Sequence, residues 1–223
     1  MSDGLTVPKA ILFDWDNTLV DNWLCIHAAL NATLRAMGHA EWTIEESRLR
    51  VRASLRDSFP VMFGNRWEEA QTVFHEAFRT HHLDMLRVLD GAAAVLQALH
   101  QDGVSLFVVS NKTGGYLRRE AEALDWTRYF KRLVGAQDAS ADKPNRACID
   151  FALEGSLIEP APDVWFLGDA AIDMRCALAA DCTPILVGTP PEDEDFSDAR
   201  PHCHVDDLNQ FFRLYSSIKE RHF

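Results

Sequence analysis

Lys9-Ala10-Ile11-Leu12-Phe13-Asp14-Trp15-Asp16-Asn17-Thr18-Leu19 is a short apolar run that ends in two carboxylates one residue apart. A run of that length, bounded by turn-forming residues, reads as a buried β-strand. It places Asp14 and Asp16 at the strand's C-terminal end. Similar runs recur at residues 104–109, 132–135, 164–167 and 184–187, with helical patterns between most of them. That alternation predicts an α/β fold, a parallel sheet sandwiched by helices. In open sheets of this kind ligands bind beyond the carboxyl ends of the strands, which is where the two aspartates stand.

The first two runs are separated by about ninety residues, where a simple crossover needs far fewer. Trp23, Ile26, Leu30, Leu34 and Met37 keep helical spacing inside that gap, as do Trp67, Ala70, Phe74, Ala77, Phe78 and His81. Residues 21–88 are therefore expected to form a small helical domain inserted into a sheet domain of residues 1–20 and 89–223. A core helix is expected to resume at residues 91–99. After Lys143, Pro144 sits at a plausible first helical position, with Cys148, Phe151 and Ala152 on one face and Gly155 as the stop.

The bulk composition narrows the function classes. A chain of 223 residues, 47% hydrophobic and 25% charged, can bury a full core. Its formal net charge of -12 and its lack of a lysine- or arginine-rich stripe argue against nucleic acid and anionic membrane as partners. The apolar run before Asp14 is too short for a signal-peptide core or a membrane span, so a cytoplasmic location is expected. Five cysteines, an odd number without a CxxC pair, indicate neither a disulfide framework nor a zinc site. His81-His82 and His202-Cys203-His204 lack companions at zinc spacing and read as a helix face and a last short strand.

Two aspartates so close are a weak signal alone, because strand ends collect Asp and Asn to cap backbone groups. The other strand ends strengthen it. Ser110-Asn111 closes the second run, Lys143 precedes Pro144, and Gly168-Asp169 closes the fourth with Asp173 one helical turn on. The ordered segments Phe13-Asp14-Trp15-Asp16-Asn17-Thr18-Leu19, Val109-Ser110-Asn111, Lys143-Pro144 and Leu167-Gly168-Asp169 with Asp173 resemble the four motifs of the haloacid dehalogenase superfamily of phosphohydrolases. The likeness is greatest to its phosphoglycolate phosphatase branch and spans nearly the whole chain. It implies a Rossmann-like core, a helical cap at the insertion, and a magnesium-dependent hydrolase acting on a small phosphate monoester.

By that resemblance Asp14 is the nucleophile, Asp16 the general acid and base, and Ser110 and Lys143 complete the catalytic set. Thr18 and Asn111 would help bind the phosphate. Magnesium would be held by Asp14, Asp169 and the backbone carbonyl of Asp16, with Asp173 supporting a metal-bound water or Lys143. The chemistry is consistent with these roles. A carboxylate is ionised at neutral pH and needs no base before attacking phosphorus. Repulsion among Asp14, Asp169 and an anionic substrate then demands a hard cation and an ammonium group.

Three positions depart from the common pattern: Asn17 and Asp181 stand where many members have glycine, and Ala170 replaces a frequent hydroxyl residue. Asn and Asp tolerate positive φ, so the first two turns are expected to survive. Retention of Asp16 argues for phosphoryl transfer over dehalogenation, and the absence of lysine between residues 10 and 111 excludes a cap-lysine Schiff base. A phosphosugar mutase of the β-phosphoglucomutase type and a catalytically silent binding protein are the alternatives. The expected partner is a small phosphorylated metabolite, for a monomer or homodimer. Among Arg48, Arg50, Arg52 and Arg56, Arg56 is the candidate to meet a second anionic group on it, against the plainer reading of a solvated helix face.

Overall fold

The computed structural model describes residues 4–51, 54–192 and 194–221. Arg52 of the arginine cluster lies outside them. In chain order the elements are β1 (Ala10–Phe13), β2 (Val20–Asp21), α1 (Trp23–Ala36), α2 (Ile44–Arg50), α3 (Leu55–Phe63), α4 (Trp67–Met85) and β3 (Arg87–Val88). Then follow α5 (Ala92–Gln101), β4 (Ser105–Thr113), α6 (Gly114–Ala123), β5 (Phe130–Ala136), α7 (Ala147–Leu153) and β6 (Val164–Gly168). The chain closes with α8 (Ala171–Ala179), β7 (Thr183–Val187), β8 (Cys203–Val205) and α9 (Leu208–Arg221). It divides into two compact units, residues Met1–Val20 with Val88–Phe223, and residues Asp21–Arg87. Among the described residues no helix is long and apolar enough to cross a membrane.

The larger unit is an α/β sandwich built on a six-stranded parallel sheet ordered β5-β4-β1-β6-β7-β8. All four residues of β1 are fully buried, because both faces of a central parallel strand are covered. Successive side chains alternate between those faces. Ala10, Leu12, Phe107, Val109, Val164 and Phe166 pack with Cys148, Ile149, Ala152 and Leu153 of α7 and Cys176 and Ala177 of α8 in one apolar cluster. Trp165, of opposite parity, meets Phe211 of α9 edge-on with ring centroids 6.3 Å apart.

Several element boundaries differ from the sequence-based expectation. Helix α7 starts at Ala147, not at Pro144. Residues between are held in a turn, in which Asn145 N–H donates to Asp142 O at 2.9 Å and Asn145 Oδ1 accepts from Ala147 N–H at 2.9 Å. The buried face of α7 comprises Cys148, Ile149, Ala152 and Leu153, whereas Phe151 is exposed beneath the Arg132 guanidinium. Strand β4 runs on to Thr113, past an irregularity in its pairing with β5.

In the helical unit α1 packs on α4. Phe74, Phe78 and His82 recur at every fourth residue of α4 and stack in a column, with centroids 5.7 and 5.2 Å apart. His82 is therefore buried and His81 exposed, one position away from the expected apolar face. Helix α2 opens on a reciprocal cap: Thr43 Oγ1 accepts from Glu46 N–H, and Glu46 Oε2 accepts from Thr43 N–H. The arginines here are largely occupied locally. Arg48 lies over the Trp23 ring at 5.7 Å, and Arg50 lies over Trp42 at 4.7 Å and pairs with Glu46. Arg56 is half-buried on α3.

Candidate active site

Strand register brings the chemistry-bearing residues of the larger unit to one sheet edge. Phe13 pairs with Val108 on one side and Leu167 on the other, and Asp14 N–H donates to Leu167 O at 2.8 Å. Asp14 and Asp169 thus follow β1 and β6 at their carboxyl ends, while Ser110 lies within β4 beside the break in its pairing with β5. The chain then turns sharply: the amides of Leu19 and Val20 both donate to Trp15 O, and Asn17 adopts φ 62°. Asp181 likewise sits at φ 57°, so both glycine replacements occupy the left-handed conformation their side chains tolerate.

Lys143 lies between two aspartates. Its Nζ donates to Asp14 Oδ1 at 2.6 Å and to Asp173 Oδ1 at 2.7 Å, with the lysine side chain only 3% exposed. The Lys143 backbone is gripped by the side chain of Asn111, whose Nδ2 donates to Lys143 O at 3.2 Å and whose Oδ1 accepts from Lys143 N–H at 2.9 Å. Asn111 therefore couples the second motif to the third through its side chain. Ser110 is buried, and its Oγ accepts from Lys112 N–H at 3.2 Å.

Asp173 is held at both oxygens. Oδ2 accepts from Ala170 N–H at 3.1 Å, which is one half of a reciprocal cap at the start of α8; the other half is missing because Ala170 has no side-chain oxygen to accept from Asp173 N–H. Gly168 makes this position possible: a Cβ there would lie 2.3 Å from the Asp173 carboxyl carbon. Thr18 is buried in the turn, and its Oγ1 has no hydrogen-bond partner among the described residues.

Carboxylate oxygens of Asp14, Asp169 and Asp173 all lie within 4.8 Å of one another, a group able to hold a metal ion. The electrostatics are consistent with that. Burial raises the Asp14 pKa to about 7, an effect Lys143 offsets and Asp173 reinforces. Burial, then Asp173 and Asp14, push Asp169 well above its ordinary range. Burial alone would lower the Lys143 ammonium, but Asp14 and Asp173 outweigh it and hold it above the usual lysine range. Three crowded carboxylates against one ammonium leave the site short of positive charge. An all-oxygen donor set of this kind suits a hard divalent cation.

Residues 11–187 match the model of the haloacid dehalogenase-like hydrolases. The chain belongs to that family. The hydrolase is 28% identical over 184 residues to phosphoglycolate phosphatase 1 of Pseudomonas aeruginosa, covering 78% of this chain and 67% of the relative. It is 27% identical over 216 residues to a phosphoglycolate phosphatase of Pseudomonas fluorescens, covering 92% and 78%. Its fold is that of a predicted phosphatase from Clostridium acetobutylicum, with a TM-score of 0.82 at 23% identity over 97% of this chain and all of the other.

One part of the hydrolase's site was not anticipated from its sequence. Asp16 lies outside the metal-competent group, and its Oδ1 accepts from Lys112 Nζ at 2.8 Å. The same ammonium donates to Glu120 Oε2 at 2.7 Å, and that oxygen also accepts from Trp15 Nε1–H at 2.7 Å. Two signals in the sequence point to this arrangement. A buried tryptophan N–H usually finds an acceptor, and Glu120 follows Leu117 by three positions on the inward face of α6.

Proposed function

We propose that this hydrolase is a magnesium-dependent phosphatase that cleaves a small phosphate monoester, phosphoglycolate or a close analogue, through an aspartyl-phosphate on Asp14. The observation that carries the reading is the Asp14–Lys143–Asp173 bridge beside Asp169 at the carboxyl edge of the sheet. The names of the curated relatives support phosphoglycolate as the first substrate to try.

Asp14, Asp169 and Asp173 are the side chains that would hold magnesium, with the Asp16 carbonyl as a further oxygen. When bound, magnesium supplies charge against the substrate phosphate and the crowded carboxylates. An Asp14 oxygen attacks phosphorus and forms the acyl phosphate as the ester P–O bond breaks. Asp16 gives its proton to the departing oxygen. Asp16 then accepts a proton from water, which attacks the phosphorus and frees inorganic phosphate and Asp14. Lys143 neutralises Asp14 before attack and the phosphoryl oxygens during it. The Ser110 hydroxyl, the Asn111 backbone N–H and Thr18 complete the phosphate cradle in this reading.

The test is hydrolysis of p-nitrophenyl phosphate and phosphoglycolate with magnesium or with chelator. Turnover is expected only with magnesium, and Asp14→Asn is expected to lower kcat by on the order of 10³-fold or more while circular dichroism is unchanged. Equal turnover in chelator, or an Asp14→Asn protein within tenfold of wild type, would sink the reading.

A further inference from the structure

Lys112, Glu120 and Trp15 form a network behind Asp16, and the mechanism above uses none of these three residues. The Glu120 side chain is fully buried and that of Lys112 is 5% exposed, while Asp16 is 20% exposed. The network is therefore anchored inside and ends on the one member that reaches toward solvent. Its anchor is rigid. Trp15 is fully buried and meets Trp126 and Phe130 edge-on, with centroids 5.8 and 6.5 Å away. Its indole N–H fixes the Glu120 oxygen that receives Lys112.

Removing a glutamate and a lysine from water is costly before their attraction is counted, and apolar residues of similar size often serve a fold better. Stapling α6 to the β1 turn would not by itself call for charges. A carboxylate that must face one direction does, because an unrestrained Asp16 samples several rotamers. The backbone adds a second constraint, since the Lys112 amide also meets Ser110 Oγ. One residue thus touches two members of the proposed machinery.

We propose that Lys112 is a positioning residue for the reaction proposed above: seated on buried Glu120, its ammonium holds the Asp16 carboxylate in the orientation from which that group serves the leaving oxygen and the attacking water. The inference rests on the phosphatase reading and extends it to two residues outside the motifs.

The experiment compares magnesium-loaded wild type, Lys112→Met and the double variant Lys112→Met/Glu120→Gln on two esters in rapid-mixing assays. The p-nitrophenolate ion departs without a proton, whereas the alkoxide of phosphoglycolate needs one. In Lys112→Met the first turnover of p-nitrophenyl phosphate stays fast and releases a burst of about one p-nitrophenolate per active site. Steady turnover, which needs Asp16 as base, falls by about 10–100-fold, and with phosphoglycolate the first turnover slows by a similar factor. For p-nitrophenyl phosphate KM falls along with kcat, leaving kcat/KM within about twofold of wild type, whereas KM for phosphoglycolate changes by no more than about twofold.

The double variant leaves no buried unpaired carboxylate and carries the same comparison if Lys112→Met fails to fold. Wild-type kcat on both esters in the folded variant overturns the inference, as does equal slowing of burst and steady rate. Those outcomes leave the phosphatase reading standing. Wild-type turnover that ignores chelation, or that survives Asp14→Asn, overturns that reading and the inference with it.

Discussion

Lys143 and Lys112 are two versions of one arrangement. Each ammonium is buried, and each bridges an aspartate of the β1 turn to a carboxylate on a helix: Asp14 and Asp173 in one case, Asp16 and Glu120 in the other. In both, burial pulls the lysine pKa down and the paired carboxylates raise it past its ordinary value. They differ in what stands beside them. Lys143 shares its aspartates with Asp169, so negative charge exceeds positive and the site can recruit a cation. Lys112 has instead the neutral N–H of Trp15 at its second carboxylate, which holds that group without adding charge. One bridge is thus built to bind, and the other to hold a side chain still.

The comparison breaks most visibly at Lys143. Lys143→Met is expected to lower kcat by on the order of 10²–10³-fold, as loss of a charged transition-state donor does. It should also destabilise the metal-free protein by about 3–5 kcal/mol in urea unfolding, because buried carboxylates lose their counterion. Added magnesium should restore part of that stability, and a Lys143→Met protein as active as wild type would remove the lysine from the chemistry. At Lys112 the effect is smaller and confined to the steps served by Asp16, as argued above.

A backbone change sharpens the same contrast. Gly168→Ala would set a Cβ 2.3 Å from the Asp173 carboxyl carbon and 2.3 Å from its Oδ2. Displacing Asp173 should cost about 1–3 kcal/mol and lower kcat together with the Lys143 bridge. Gly115→Ala, on α6, meets nothing within 4 Å and is expected to stabilise slightly or leave both quantities unchanged. Thermal melts and kcat of the two variants check this, and equal effects would mean that the Asp173 seat is not constrained.

The smallest effect lies away from both bridges, where Asp102 accepts from Lys219 and from Tyr215 of α9. The Lys219 bond depresses the Asp102 pKa below its ordinary 3.8; burial opposes it, and the Tyr215 bond adds a smaller depression. A depressed carboxylate contributes stability above its unfolded pKa, and this is lost as pH falls through the folded value. Asp102→Asn should therefore lower stability by no more than about 1 kcal/mol at pH 7, and the difference should shrink as pH falls below the ordinary carboxylate pKa of 3.8. A difference that persists unchanged into acid would assign the contribution to packing.

Much of this arrangement could be read before any coordinates. The sheet, its central strand and the convergence of Asp14, Ser110, Lys143 and Asp169 on one edge follow from apolar runs ending in polar residues, because strand order and strand polarity leave those ends little choice of side. Asn17 and Asp181 could be assigned turns with positive φ because the resembled family often has glycine there and Asn and Asp tolerate that conformation. Local geometry was harder to read. A proline after Lys143 suggested an immediate helix, yet the Asp142–Asn145 turn delays it to Ala147. Glu120 lies in Arg118-Arg119-Glu120-Ala121-Glu122, which looks like a solvated face until the helix is docked and Glu120 turns inward with Leu117 and Ala121.

The sequence by itself determined which residues carry charge at the ends of which strands, since periodicity and chain direction are local properties. Only the tertiary structure decided which lysine neutralises which aspartate. Lys143 and Asp14 are 129 positions apart, and Lys112 and Asp16 are 96 apart. Coulomb attraction inside a protein depends on distance in space and on exclusion of water, and neither is written in the order of the residues.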